Sequence, residues 1–263
     1  MTPASDFELP AERSVLHDIV DAVVRPSPAP FGAYVFAHDH PGARLGRALE
    51  GAVFEEAFGN DAQLLAAEYG PYEDASVFVV VIDHVRRLPA ACCRLVLPGG
   101  RAGLKSVNDL SRGWCSDPAD LLAAELPHLR TETTWDWATL AVDPDYRSPH
   151  GYGIAALGLY QTIGRTATRV GARHVLAILD AGVYRMQRLR FVQPFVAFGP
   201  ARPYLGSLAS FPVCMDLETW GERLALVDPE LHSIIFQGRG IEPALEPADL
   251  EAAVAALPLA ARR

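Results

Sequence analysis

Seven consecutive residues, Arg147-Ser148-Pro149-His150-Gly151-Tyr152-Gly153, stand between an apolar β-branched run, "TTWDWATLAV", and a long segment of helical apolar spacing, "IAALGLYQTIGRTATRV". A strand that hands over to a helix through glycines exposes the first-turn N–H groups of that helix, and the helix dipole adds partial positive charge there. Such a turn can hold a phosphate or pyrophosphate without lysines, with Gly151 and Gly153 letting the anion reach the backbone and Arg147 adding a contact. A plain tight turn needing glycine for its backbone angles explains the same pair, and the third glycine of a dinucleotide fingerprint is missing. Other chemistry is sparse. No G-x-S-x-G elbow, HExxH or Walker loop occurs. Cys92, Cys93, Cys115 and Cys214 have neither CxxC nor Cys/His metal spacing, so buried reduced thiols and no metal are expected.

The elements that must position this loop follow from periodicity. Residues 11–24 read as an amphipathic helix ahead of a Pro-rich connector, and "FGAYVFAHD" as a first strand. Residues 42–73 carry Leu45, Leu49, Val53 and Phe54 on one helical face, as one helix or two. "SVFVVVIDHV" and "LPAACCRLVLPGG" form an expected antiparallel hairpin, and "GLKSVNDLSRGW" and "DPADLLAAELPHL" short helices. After the strand over 134–142 and the helix from about 153 to 170 come strand "HVLAILD", helix "AGVYRMQRLR", and strands "FVQPFVAFG" and "LASFPVCMDL". The pattern beyond Trp220 is helical. This order gives a mixed α/β fold with antiparallel hairpins first and a βαβα unit in the middle, unlike a doubly wound sheet or a (β/α) barrel. The expected division is an N-terminal helical extension over 1–30, a core domain over 31–218 and a C-terminal helical extension over 219–263.

Composition excludes some classes. With 23 Lys and Arg against 32 Asp and Glu, the net charge of −9 disfavours nucleic acid and anionic membrane surfaces. No apolar run reaches membrane-spanning length, and the acidic N-terminus lacks a signal-peptide pattern, so a cytoplasmic protein is expected.

The segment "LAVDPDYRSPHGYGIAALGLYQTIGRTATRVGARHVLAILD" resembles motif A of the GCN5-related N-acetyltransferase (GNAT) superfamily, in which a strand, an Arg/Gln-x-x-Gly-x-Gly/Ala loop and a helix bind the pyrophosphate of acyl-coenzyme A. Here Arg147 stands one position further from the glycines than in that pattern. "WDWATLAV" is similar to the W-E-x-x-R-F-A-V strand of the acyl-homoserine-lactone synthases, a branch that uses acyl-acyl carrier protein, with Asp136 for the glutamate and Thr139 for the arginine. "CCRLVLPGG" resembles the R-L-L-P strand of those enzymes, and the related long-chain N-acyl amino acid synthases share the layout.

The resemblance implies a GNAT-like fold: a mostly antiparallel twisted sheet with a splayed strand pair, flanked by helices. It also implies acyl transfer from acyl-CoA or a 4′-phosphopantetheine acyl carrier protein to a small-molecule amine, in signal or secondary-metabolite synthesis, with a lean to medium or long chains. Donor contacts fall on Leu140, Ala141 and Val142 of the splayed strand and on Arg147, Ser148, Gly151, Tyr152 and Gly153. Aminolysis of a thioester needs a proton acceptor and oxyanion donors but no covalent nucleophile. Asp136 is the candidate base, or else faces solvent on an alternating strand; Glu132 is the reserve. Tyr184 is the candidate general acid for the leaving thiolate, although Met186 occupies the family register. Trp135 and Arg94 are candidate substrate contacts, with Arg94 and Lys105 facing either a phosphate or carrier protein, or plain solvent. Phe191, Phe195, Phe198 and Phe211 either line an acyl tunnel or are core. A non-catalytic binder of acyl thioesters or carrier protein on the same fold is the alternative.

Overall fold

A computed structural model describes residues 10–148 and 153–262. The hairpin expected from the two valine-rich runs forms β2 (Ser76–Asp83) and β3 (Leu88–Val96), and β1 (Phe31–Ala37) pairs antiparallel with β2. Both hairpin strands are buried on both faces, which explains their nearly continuous apolar sequence. The 42–73 region divides into α2 (Ala43–Phe58) and α3 (Ala62–Tyr69), because Gly59 closes α2 at φ 69° and the Asp61 side chain caps α3 by accepting from Leu64 N–H. Ahead of them lies α1 (Pro10–Val23).

Two short helices, α4 (Lys105–Asp109) and α5 (Pro118–Glu125), lead to β4 (Thr134–Val142), followed by α6 (Ile154–Arg169), β5 (His174–Asp180) and α7 (Ala181–Arg190). The sheet continues with β6 (Val196–Ala197), β7 (Arg202–Tyr204) and β8 (Ser207–Asp216), and the chain then runs through α8 (Leu217–Val227), α9 (Pro229–His232), β9 (Leu245–Glu246) and α10 (Leu250–Ala256). The strand order is β6-β8-β5-β4-β3-β2-β1-β9, with β7 on β8. It is antiparallel except where β4 meets β5 and β1 meets β9.

Two expectations need correcting. The strand expected over 191–199 shrinks to Val196–Ala197, because Val192 and Gln193 adopt φ of 54° and 51° and Gln193 N–H donates back to Arg188 O, extending the end of α7. The segment after residue 219 is not purely helical: Leu245 and Glu246 add a strand to the sheet edge beside Phe31 and Gly32. Ile235, Leu245, Leu257 and Ala261 from this segment join the main core beneath α6. The second core lies on the opposite face, where α1 and α2 cover β2 and β3. No helix among the described residues is long and apolar enough to cross a membrane.

Candidate active site

The parallel pairing of β4 with β5 is brief. Thr134, Trp135 and Asp136 lie opposite His174, Val175 and Leu176, and beyond Asp136 the two strands part. From there, among the described residues, β4 pairs only with β3 and β5 only with β8. The divergence coincides with a β-bulge: Leu95 faces Trp137 and Arg94 faces Thr139, leaving Ala138 as the extra residue on β4. A bulge bends its strand and raises the local twist, which turns β4 away from β5.

The bulge also decides which backbone groups are free. Asp143 N–H donates to Ala90 O at 3.1 Å. Alternation back along the β3 register turns the backbone groups of Ala141 and Thr139 to β3, and those of Leu140 and Val142 across the opening. Leu140 and Val142 therefore present amides along an unpaired edge, while Ala141 is committed to the sheet. At the mouth, exposed Arg147 folds back so that its Nε donates to Val142 O at 2.9 Å. α6 begins at Gly153 with no side-chain cap, so its first-turn amides lack acceptors within the helix. A Cβ on Gly153 would stand 3.0 Å from Tyr146 O, a close approach that favours glycine. Ser148 is half-buried on this loop; His150, Gly151 and Tyr152 lie outside the described residues.

The remaining candidates scatter. Asp136 is not on a solvent face: it is fully buried on the side of the sheet covered by α4, where Oδ2 accepts from Ser106 N–H at 2.5 Å and Oδ1 from Ser106 Oγ at 2.8 Å. Burial raises its pKa to about 6, opposed by the two Ser106 hydrogen bonds. Glu132 is exposed at the closed end of β4, next to the turn at Val170–Ala172, and is removed by the strand's length from the opening. Trp135 is core, 1% exposed. Tyr184 is half-buried on α7, its ring 5.2 Å from that of Phe211.

Arg94 and Lys105, expected at a surface, are instead buried in a web of ion pairs between α2, α3, α4 and the sheet. Arg94 holds Glu50 with two bonds of 3.0 and 2.5 Å and Glu73 with one of 2.7 Å. Thr139, which stands where the synthase pattern has arginine, donates to Glu50 Oε1 at 2.5 Å. Lys105 Nζ lies 2.5 Å from Asp109 and 2.9 Å from Glu68, with the rings of Tyr69, Tyr72 and Tyr204 at 5.0, 5.8 and 5.8 Å. Every charge in this web has a partner, as burial requires.

The expected tunnel residues are packed. Phe191 stacks on Tyr160 at 3.9 Å, Phe195 lies 5.6 Å from Trp137, and Phe198 belongs to a separate cluster with Leu104 and Leu110 on the α4 side. A hollow of about 340 Å³ lies between the end of α1 and the β2–β3 turn, lined by Val20, Val24, Arg25, His84 and Arg87, and does not reach the splay. Cys92, Cys93 and Cys214 are buried, and burial raises their thiol pKa values, that of Cys214 to about 12.

A sheet that opens between two parallel strands, with a helix N-terminus at the mouth, defines the GNAT-like fold, as the resemblance implied. Among solved structures, FeeM, an N-acyl amino acid synthase from uncultured soil microbes, superposes with a TM-score of 0.55 at 13% identity, over 74% of this chain and 96% of that one. Two acyl-homoserine-lactone synthase structures also match: LasI with a TM-score of 0.49, 13% identity and 80% and 96% coverage, and the CoA-dependent BjaI with 0.48, 16% and 85% and 97%. No family model matches the sequence, and no curated protein matches it significantly.

Proposed function

We propose that this chain is an N-acyltransferase that moves an acyl group from acyl-CoA or an acyl-carrier protein to a small amine by direct aminolysis. The observation that carries the reading is the unpaired β4 edge, where Leu140 and Val142 amides face an opening whose mouth is the uncapped start of α6. Extended pantetheine can pair with that edge as a further strand would, through its own amides. The first turn of α6 and Arg147 then hold the pyrophosphate. The Leu140 or Val142 amide donates to the thioester oxygen as charge develops on it. The fold shared with an N-acyl amino acid synthase supports an amine as acceptor.

Proton handling is the weakest part of the machinery. Among the described residues the Asp136 carboxylate hydrogen-bonds only to Ser106, so it positions α4 against β4 rather than meeting the amine, which loses its proton to water. Tyr184, on the helix after β5, remains the candidate donor to the leaving thiolate. The same burial of Asp136 favours a second reading, a protein that binds acyl thioesters without turnover.

The test is mass spectrometry of the full chain incubated with CoA thioesters and acyl-carrier proteins, each with a pool of amines and amino acids. A protein-dependent acyl-amide supports the transferase. Thermal stabilisation by a thioester with no product from any donor supports the binder and overturns the transferase.

A further inference from the structure

We infer that the splay takes only short acyl groups, and that Trp137 and Phe195 set the limit. This rests on the reading that the β4 edge holds an acyl thioester. Trp137 is the first β4 residue past the last β4–β5 pair, so it stands at the apex of the opening. Phe195 directly precedes β6, whose Val196 pairs with Cys214 of β8, itself opposite Leu176 of β5. It therefore lies level with the same apex from the far side of β5. The two rings meet at 5.6 Å, and Tyr160 of α6 closes on Trp137 at 5.0 Å. All three are nearly fully buried in one core cluster, an aromatic bar across the gap on the α6 face.

The other face is sealed at the same level. Ser106 of α4 is bonded to Asp136, and Leu176, Leu104, Leu110 and Phe198 form a buried cluster beside it. An acyl group whose carbonyl meets the Leu140 amide thus has only the stretch back to Trp137, which the bulge shortens to the two β3 residues from Cys93 to Leu95, roughly 7 Å at about 3.3 Å per residue, before it strikes packed rings. A chain of a few carbons fits that length. A longer one must displace Phe195 or Trp137 from a core without slack. The floor also holds Tyr160 fixed: its hydroxyl donates to buried Gln187, and its ring stacks on Phe191 at 3.9 Å.

The experiment measures affinity of the full chain for free CoA and for acetyl, butyryl and decanoyl thioesters of CoA and of an acyl-carrier protein by thermal shift and calorimetry, with product masses recorded in parallel in the presence of a pool of amines and amino acids. Acetyl and butyryl thioesters are expected to bind at least about tenfold more tightly than the decanoyl thioester, and Phe195→Ala to narrow or reverse that gap while leaving acetyl-CoA affinity within about threefold. Phe195→Leu serves if the alanine variant does not fold, with a smaller shift in the same direction. Equal binding of decanoyl and acetyl thioesters by the unaltered chain, or a folded Phe195 variant with unchanged preference, overturns the limit and leaves the transferase reading intact. Short-chain selectivity without product from either donor overturns the transferase and upholds the limit. No binding of any CoA or carrier-protein thioester overturns both.

Discussion

The two faces of β4 meet opposite kinds of chemistry. On the α2–α4 side, Thr139 joins a web in which Glu50, Arg94, Lys105 and Asp109 are buried and paired, and Asp136 lies buried beside it on Ser106. At the edge toward β5, Leu140 and Val142 offer only backbone amides and aliphatic side chains. The region rich in titratable groups is closed, and the region with nothing but main chain is open. Charged residues on this strand are a structural device, because removing one partner of a buried pair leaves the other uncompensated. The reactive geometry comes from one bulge and three strand pairs.

That contrast yields graded expectations. Arg94→Ala leaves Glu50 buried without its cation and should cost about 3–5 kcal/mol in urea unfolding, the largest effect among these variants; a loss below 1 kcal/mol would mean the web is solvated. Asp136→Asn acts through pH. The native pKa of about 6 exceeds the ordinary carboxylate value of 3.8, so the unfolded chain gives up this proton first and stability declines as pH rises from about 4 to 6. The total is about 3 kcal/mol for a shift of roughly two units. Asparagine keeps both Ser106 contacts, by accepting from the amide and donating to Oγ, and cannot ionise. Unfolding at pH 4 and pH 7 should therefore show the variant relatively more stable at pH 7; equal differences at both pH values would contradict the burial.

Gly46→Ala tests how closely α2 approaches the sheet beneath the web. A Cβ there would lie 2.6 Å from Phe78 Cδ1, so the helix must lift, at about 1–3 kcal/mol. At the open edge the order reverses. Arg147→Ala, on an exposed side chain, should change stability by no more than about 0.5 kcal/mol, yet weaken CoA-thioester binding measurably in calorimetry. Unchanged affinity would remove Arg147 from the anion site.

How far the sequence discloses this arrangement depends on scale. Long periodic stretches such as 154–169 and the valine-rich hairpin declare themselves, because burial dictates their pattern. β6, β7 and β9 do not, being two or three residues long and, for β6 and β7, preceded or followed by non-glycine residues at positive φ such as Gln193 and Leu205. The motif A resemblance singled out residues 140–142 and the loop ahead of α6, and the structure parts β4 from β5 beyond Asp136, with part of that loop outside the described residues. The roles expected of Arg94, Lys105 and Trp135 failed because burial depends on partners far along the chain: Glu50 and Arg94 are 44 residues apart. One local signal was present. Glu50 follows Leu49 and stands four residues after Gly46 on the buried stripe of α2, an acid where an apolar residue is expected. Phe195 stood among four phenylalanines read as tunnel lining or core, whereas Trp137 gave no such sign, since an aromatic in a strand reads as core wherever it lies.

Residue-resolved amide exchange by NMR, with and without a non-reactive acyl-CoA analogue, tests whether the β4 edge is the thioester site. Ala141, bonded to β3, should be protected in both states, whereas Leu140 and Val142 should exchange readily in the free protein and become protected on binding. Protection of Leu140 and Val142 that is unchanged by a bound analogue would contradict the assignment of this edge as the thioester site.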